Sequence, residues 1–210
     1  MFTLFGRAGW GSVLVEAQLA FYGLPYALEE VDDLFKSGEA RERLAAINPV
    51  AQLPTLLLPD GAVMTESAAI TLHLADVAKS DALVPSPGCA TRPQFLRWLV
   101  FLVANIYPTF TYADDPARFV ASESAAGFRV NVDRYEQNLW LMMDKAASGP
   151  WFLGERFSAL DIYIAAMTRW RPGRPWFAEH CANLSQIAER ADRLAALESV
   201  WRRHASAAVD

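Results

Sequence analysis

Two hydrophobic periodicities divide this chain, and the division restricts its fold more than any single motif. Up to Ala78, short apolar runs alternate with helix-period segments, most of them closed by glycine or proline. Phe2 to Phe5 reads as a strand, Gly6 to Gly11 as a loop, and Ser12 to Tyr22 as a helix with Val15, Leu19 and Tyr22 on one stripe. Gly23-Leu24-Pro25 stops that helix. Tyr26 to Val31 gives a second strand. Ser37 to Ile47 gives a more polar helix that ends at Asn48-Pro49, because the residue before a proline is pushed out of the α region. Thr55 to Leu58 and Ala62 to Met64 pair about Pro59-Asp60-Gly61, and Ser67 to Ala78 is helical again. The order β-α-β-α-β-β-α predicts one small mixed sheet with helices to cover its faces.

Lys79 to Ala90 gathers Ser80, Pro85, Ser86, Pro87 and Gly88 and reads as a linker. Beyond it the pattern predicts helices at about 91–106, 120–147, 159–170 and 179–203, the last one broken, with no strand of comparable quality. The expected organisation is an α/β domain over 1–78, a linker over 79–90 and an all-α domain over 91–210. Charge points the same way: residues 1–78 carry ten acidic and four basic side chains, whereas the remainder is nearly balanced. With 53% hydrophobic residues, the chain has material for a sizeable core and some apolar surface for a partner subunit or a hydrophobic substrate.

A net charge of −5 leaves no basic footprint for nucleic acid. The longest wholly apolar run, Trp98 to Ala104, is too short to span a bilayer. The first residues, interrupted by Gly6, Arg7 and Gly9, lack the apolar stretch of a signal peptide. Cys89 and Cys181 show neither CxxC nor metal-ligand spacing, and His73, His180 and His204 read as surface or packing residues. The expectation is a cytoplasmic protein with no bound metal, no membrane attachment and no structural disulfide.

Two short segments carry ligand-binding chemistry. In Gln52-Leu53-Pro54-Thr55 a trans Pro54 is only a strand-start proline, whereas a cis Pro54 presents the Leu53 backbone as an edge for an extended, peptide-like ligand. The dipeptide alone leaves both open. In Thr65-Glu66-Ser67, Ser67 either caps the following helix or joins the first free helix N–H groups in holding a carboxylate. Glu66 is then placed to receive an ammonium, and an amino acid head group carries both charges. Further on, Ser158 and Asp161 have the spacing of a capping box.

The order of elements, the Gln-Leu-Pro-Thr-Leu run at 52–56 and the Glu-Ser-Ala-Ala-Ile run at 66–70 together resemble the glutathione transferase superfamily over nearly the whole chain. The resemblance implies a thioredoxin-like N-terminal domain, an all-helical C-terminal domain and a cis Pro54. It implies that Leu53 pairs through its backbone with the cysteinyl part of glutathione, that Glu66 and Ser67 hold the γ-glutamyl end, and that Gln52 lies near the glycyl region. Ser158 and Asp161 become a structural cap. A homodimer is also implied, with candidate apolar surface on the Ser67–Ala78 helix and near Trp98 and Phe101. Glutathione is the cosubstrate, conjugated to small hydrophobic electrophiles. The alternatives are a glutathione-dependent lyase, isomerase or peroxidase, or a noncatalytic binder of glutathione or hydrophobes.

Conjugation requires a group that favours the glutathione thiolate. The family usually supplies Tyr, Ser or Cys near the start of the first helix, but Gly6-Arg7-Ala8-Gly9-Trp10-Gly11-Ser12 contains neither tyrosine nor cysteine. Ser12 is its only hydroxyl: the candidate catalytic donor, or else a helix cap. Backbone N–H groups from Trp10 to Ser12 are the alternative, with Arg7 as an electrostatic aid. Trp10, Tyr107, Phe110, Tyr112, Met167 and Trp170 are candidates for a hydrophobic substrate wall, ordinary packing being the competing role for each. Arg169, Arg171 and Arg174 read as a solvated loop or a local anion patch.

Overall fold

A computed structural model describes residues 1–205. Its first elements are β1 (Phe2–Gly6), α1 (Val13–Phe21), β2 (Tyr26–Glu30), α2 (Gly38–Ala45), β3 (Thr55–Leu57), β4 (Val63–Met64) and α3 (Ser67–Ala78). The four strands form one sheet in the order β2-β1-β3-β4, with β1 parallel to β2 and the other two pairs antiparallel. Successive side chains of a strand point to opposite faces. On one face Phe2, Leu4 and Leu56 pack with Val15 and Leu19 of α1 and with Ile70 and Leu74 of α3. On the other, Phe5 and Val31 join Leu34, Leu53 and the α2 residues Ala40 and Leu44. This is the thioredoxin-like arrangement, and an all-α part follows it.

Register decides where a site can form. Phe5 pairs with Thr55 and Leu56 with Met64, both in antiparallel ladders. The end of β1, the beginning of β3 and the end of β4 therefore lie at one end of the sheet. The Gly6–Ser12 loop, the turn before Thr55 and the start of α3 all emerge there.

The remaining elements are α4 (Arg92–Phe101), a π turn (Leu102–Ile106), α5 (Tyr107–Asp114), α6 (Ala125–Ala146), α7 (Ala159–Met167), α8 (Arg174–His180), α9 (Ala182–Asp192) and α10 (Glu198–Ala205). The helical run expected to end near 106 continues through the π turn to Asp114, because Pro108 sits in the first turn of α5, where a missing N–H is tolerated. Pro175 likewise lies in the first turn of α8, which starts at Arg174 and not near 179. Trp98 packs inward on Phe101 and Phe152, so it is core and not free apolar surface.

By packing, the described chain divides into Met1–Val84 with residues 192–205, and Pro85–Ala191. Residues 192–205, expected to lie within the helical domain, thus belong with the sheet, and α10 packs on α1. In the second unit every residue of α7 is buried. Its start is closed by Asp161, whose carboxylate accepts the Ser158 N–H at 2.7 Å, the Ser158 hydroxyl at 3.0 Å and the Phe152 N–H at 2.8 Å. Among the described residues no helix is long and apolar enough to cross a membrane.

Candidate functional site

The turn before β3 is held by Asn48, which in the sequence marks only a helix end. Asn48 donates from Nδ2 to the Gln52 carbonyl and to Thr55 Oγ1, both at 3.0 Å, while its Oδ1 accepts the Val50 N–H. Thr55 Oγ1 in turn donates to the Gln52 carbonyl at 2.8 Å. These bonds close residues 48–55 into a rigid turn in which the Leu53–Pro54 peptide is cis. Leu53 and Pro54 are buried, and Gln52 is exposed.

At the start of α3, Glu66 has φ +62° and ψ 99°, a conformation that costs a residue with a β-carbon on the order of 1–3 kcal/mol. It occupies the N-cap position without a side-chain capping bond, and among the described residues the only polar contact of its side chain is a long one from Thr65 Oγ1 at 3.5 Å. Its carboxylate is exposed. Ser67 is buried, yet no described residue bonds its hydroxyl or accepts from the amides of Ser67, Ala68 and Ala69. Beneath them, Gln18 of α1 donates to Thr71 Oγ1 at 2.9 Å, and Thr71 Oγ1 donates to the Ser67 carbonyl at 2.9 Å. A buried side-chain chain thus fixes the helix start while leaving its donors open, an arrangement suited to a carboxylate.

The loop after β1 departs from expectation at Ser12. Its hydroxyl does not cap α1. It accepts the Arg7 N–H at 3.1 Å and donates to the Arg7 carbonyl at 3.2 Å, so its single proton is committed to closing the loop. Gly6 has to lack a side chain here, since a β-carbon would sit 2.8 Å from Ser12 Cβ and Oγ. The backbone N–H groups of Gly11 and Ser12 have no acceptor among the described residues. Both residues are buried, and an unpaired N–H in such a place costs on the order of 1–3 kcal/mol unless a ligand or water accepts from it. Arg7 is tied to the Val31 carbonyl and to Asp33, and its guanidinium lies over Trp10, which itself packs on Phe35.

In the second unit Tyr107, Phe110 and Trp170 meet edge to face, with ring centroids 5.1–6.4 Å apart. Tyr112 does not join them. It lies five residues after Tyr107, on another face of α5, and packs on Phe119. Met167 is wholly buried within α7. The arginines around Trp170 form neither a solvated loop nor an open anion patch. Arg171 binds Asp133 and Asp114 at 2.8 Å, Glu136 at 3.4 Å and the Thr109 carbonyl, while Arg174 donates to the Ala165 carbonyl. Burial pushes the Glu136 carboxyl up to about 7, against the opposing pull of Arg171.

His204 has a role that its place in the sequence does not announce. It is not a surface or simple packing residue: it lies buried in α10, with Nε2 2.8 Å from Glu16 Oε2 of α1. Glu16 itself was the available signal, because a carboxylate inside the apolar segment Val13–Phe21 demands partners.

A mixed sheet with a cis-proline turn and an open helix start at one end, followed by a helical unit, defines a class, and comparison with known proteins identifies it. The chain belongs to the glutathione S-transferase superfamily: the family's N-terminal domain matches residues 15–77. The uncharacterised GST-like protein YncG of Escherichia coli (strain K12) is 37% identical over 205 residues, covering 97% of this chain and 98% of that protein. Glutathione S-transferase GstA of E. coli O157:H7 is 28% identical over 80% of this chain and 81% of its own length. Among solved structures, a glutathione transferase homologue from Sulfitobacter with bound glutathione superposes with a TM-score of 0.87 at 23% identity, covering 96% of this chain and 97% of that one.

Proposed function

We propose that the first unit binds glutathione and that the protein transfers the glutathione thiol to small hydrophobic electrophiles. One observation carries this reading: the cis Leu53–Pro54 turn, the strained Glu66 and the open donors at Ser67 all emerge at one end of the sheet. The γ-glutamyl group brings a carboxylate for Ser67 and the helix amides and an ammonium for Glu66. The cysteinyl backbone lies along Leu53, with Gln52 toward the glycyl end. Family membership and the glutathione held by the Sulfitobacter homologue support the assignment.

For the sulfur, the occupied Ser12 hydroxyl favours the backbone: the amides of Gly11 and Ser12 stabilise the thiolate at the start of α1. Tyr107, Phe110 and Trp170 supply the apolar surface for the second substrate. The protein acts as a homodimer in the cytoplasm.

The same observation at Ser12 favours a second reading, a noncatalytic glutathione-binding protein. A screen of aryl halides, epoxides and enones with the wild type and S67A separates the two. Turnover lost in S67A in parallel with glutathione affinity supports the transferase. Tight glutathione binding with no turnover on any electrophile supports the binder, and no binding by the wild type overturns both.

A further inference from the structure

Glu16 is 3% exposed, and three donors converge on it. The Tyr26 hydroxyl donates to Oε1 at 3.0 Å, His204 Nε2 faces Oε2 at 2.8 Å, and the Arg203 guanidinium also contacts Oε2. Against a carboxylate, Nε2 carries the proton. The other ring nitrogen then has only a lone pair, and the structure uses it: Nδ1 accepts the backbone N–H of Gly9 at 3.0 Å. Neutral His204 in this single tautomer satisfies both neighbours, whereas an imidazolium would set N–H against N–H at Gly9. The histidine thus links a buried carboxylate of α1 to the loop that follows β1.

Gly9 has φ +79°, a conformation in which an L side chain is strained. The loop is fastened by the Ser12 hydroxyl across Arg7, by the Arg7 side chain to the Val31 carbonyl and Asp33, and by His204 at Gly9. Between Gly9 and α1 lie the amides of Gly11 and Ser12 that the glutathione reading assigns to the sulfur.

We propose that His204 is a positioning residue for the thiol end of the site: through Gly9 it holds the 9–12 turn, so that the Gly11 and Ser12 amides keep their place at the glutathione sulfur. This rests on the glutathione reading. The segment after Asp192 then contributes to thiol activation without touching the ligand.

Two substitutions divide the functions of the ring. His204→Asn keeps an acceptor where Nδ1 stood but cannot reach Glu16; His204→Gln keeps a donor to Glu16 but loses the acceptor for Gly9. In H204Q the pKa of bound glutathione, read from thiolate absorbance, rises by about one unit and kcat falls about tenfold, while KM for glutathione stays within about twofold. H204N keeps both within about threefold of wild type. Amide exchange at Gly9 in the unliganded protein quickens in H204Q and not in H204N. In the wild type, nitrogen NMR of His204 shows a protonated Nε2 and a bare Nδ1, which needs no variant to fold.

A protonated Nδ1 overturns the proposal, as do equal losses in H204N and H204Q that track their thermal midpoints. Wild-type protein that binds no glutathione removes the reading beneath it, and the role at the sulfur falls too. Wild-type protein that binds glutathione, with H204Q leaving thiol pKa and kcat unchanged, sinks this proposal alone.

Discussion

Two networks of the helical unit and one end of the sheet treat buried polar groups in opposite ways. The two helical networks are saturated: Asp161 accepts three hydrogen bonds at the start of α7, and Arg171 is surrounded by Asp114, Asp133 and Glu136. At the end of the sheet, buried Gln18 and Thr71 fix the start of α3, and the Ser12 hydroxyl and His204 fix the loop after β1, while the donors at Ser67, Gly11 and Ser12 have no acceptor among the described residues. Saturated networks hold a fold together, while unsatisfied donors at the end of a sheet mark where a ligand completes the structure. Substitutions in the first kind of network should therefore act on stability, and substitutions in the second on binding.

The largest expected effect is in the saturated network. Asp161→Ala strands three buried donors and should lower unfolding free energy by about 4 kcal/mol, measured by urea denaturation. Protein that remains folded should bind glutathione normally; a selective loss of glutathione affinity would break the comparison.

Next comes pH. Glu136 is held at about 7 by burial, above its ordinary 4.5, so the folded chain binds that proton more tightly than the unfolded chain. Its contribution to stability is present at low pH and is lost as pH rises from 4.5 to about 7, amounting to about 3 kcal/mol. Glu136→Gln removes this dependence, so the variant should gain on the wild type across that interval and run parallel to it above; urea midpoints across a pH series check this. Asp161, raised to about 6 chiefly by burial, has the same sign.

At the open end of the sheet the pattern should reverse. Ser67→Ala should weaken glutathione binding about tenfold by calorimetry, with a nearly unchanged thermal midpoint. The smallest effect on binding, and the one that sharpens the contrast most, belongs to Glu66→Gly. Relieving φ +62° should stabilise the chain by about 1 kcal/mol, while loss of the carboxylate weakens glutathione binding several-fold. A ligand without the amino group should not detect the change.

What the sequence disclosed follows from distance along the chain. Leu53-Pro54 and Glu66-Ser67 were legible because each is a local signal: a proline at a strand start, and a cap residue at a helix start. The first sheet was legible because strand and helix periods alternate between glycine and proline stops. α5 was hidden by Pro108, which reads as a breaker when its place in the first turn is not known. Asn48 was hidden because a helix-ending asparagine and one that clamps a turn look alike. His204 and Glu16 stand 188 residues apart, and Arg171 reaches carboxylates 35 to 57 residues away. No local pattern joins such partners; only a buried charge in an apolar helix announces that one exists.

The central claim is that glutathione lies between the Leu53–Pro54 turn and the open start of α3, with its sulfur on backbone amides. A crystal structure of the wild type grown with glutathione tests it most directly. The expected result puts the γ-glutamyl carboxylate on the Ser67 hydroxyl and amide at about 3 Å, the ammonium toward Glu66, and the sulfur within about 3.5 Å of the Gly11 or Ser12 nitrogen. Glutathione bound elsewhere, or its sulfur on a Ser12 hydroxyl released from Arg7, would contradict it.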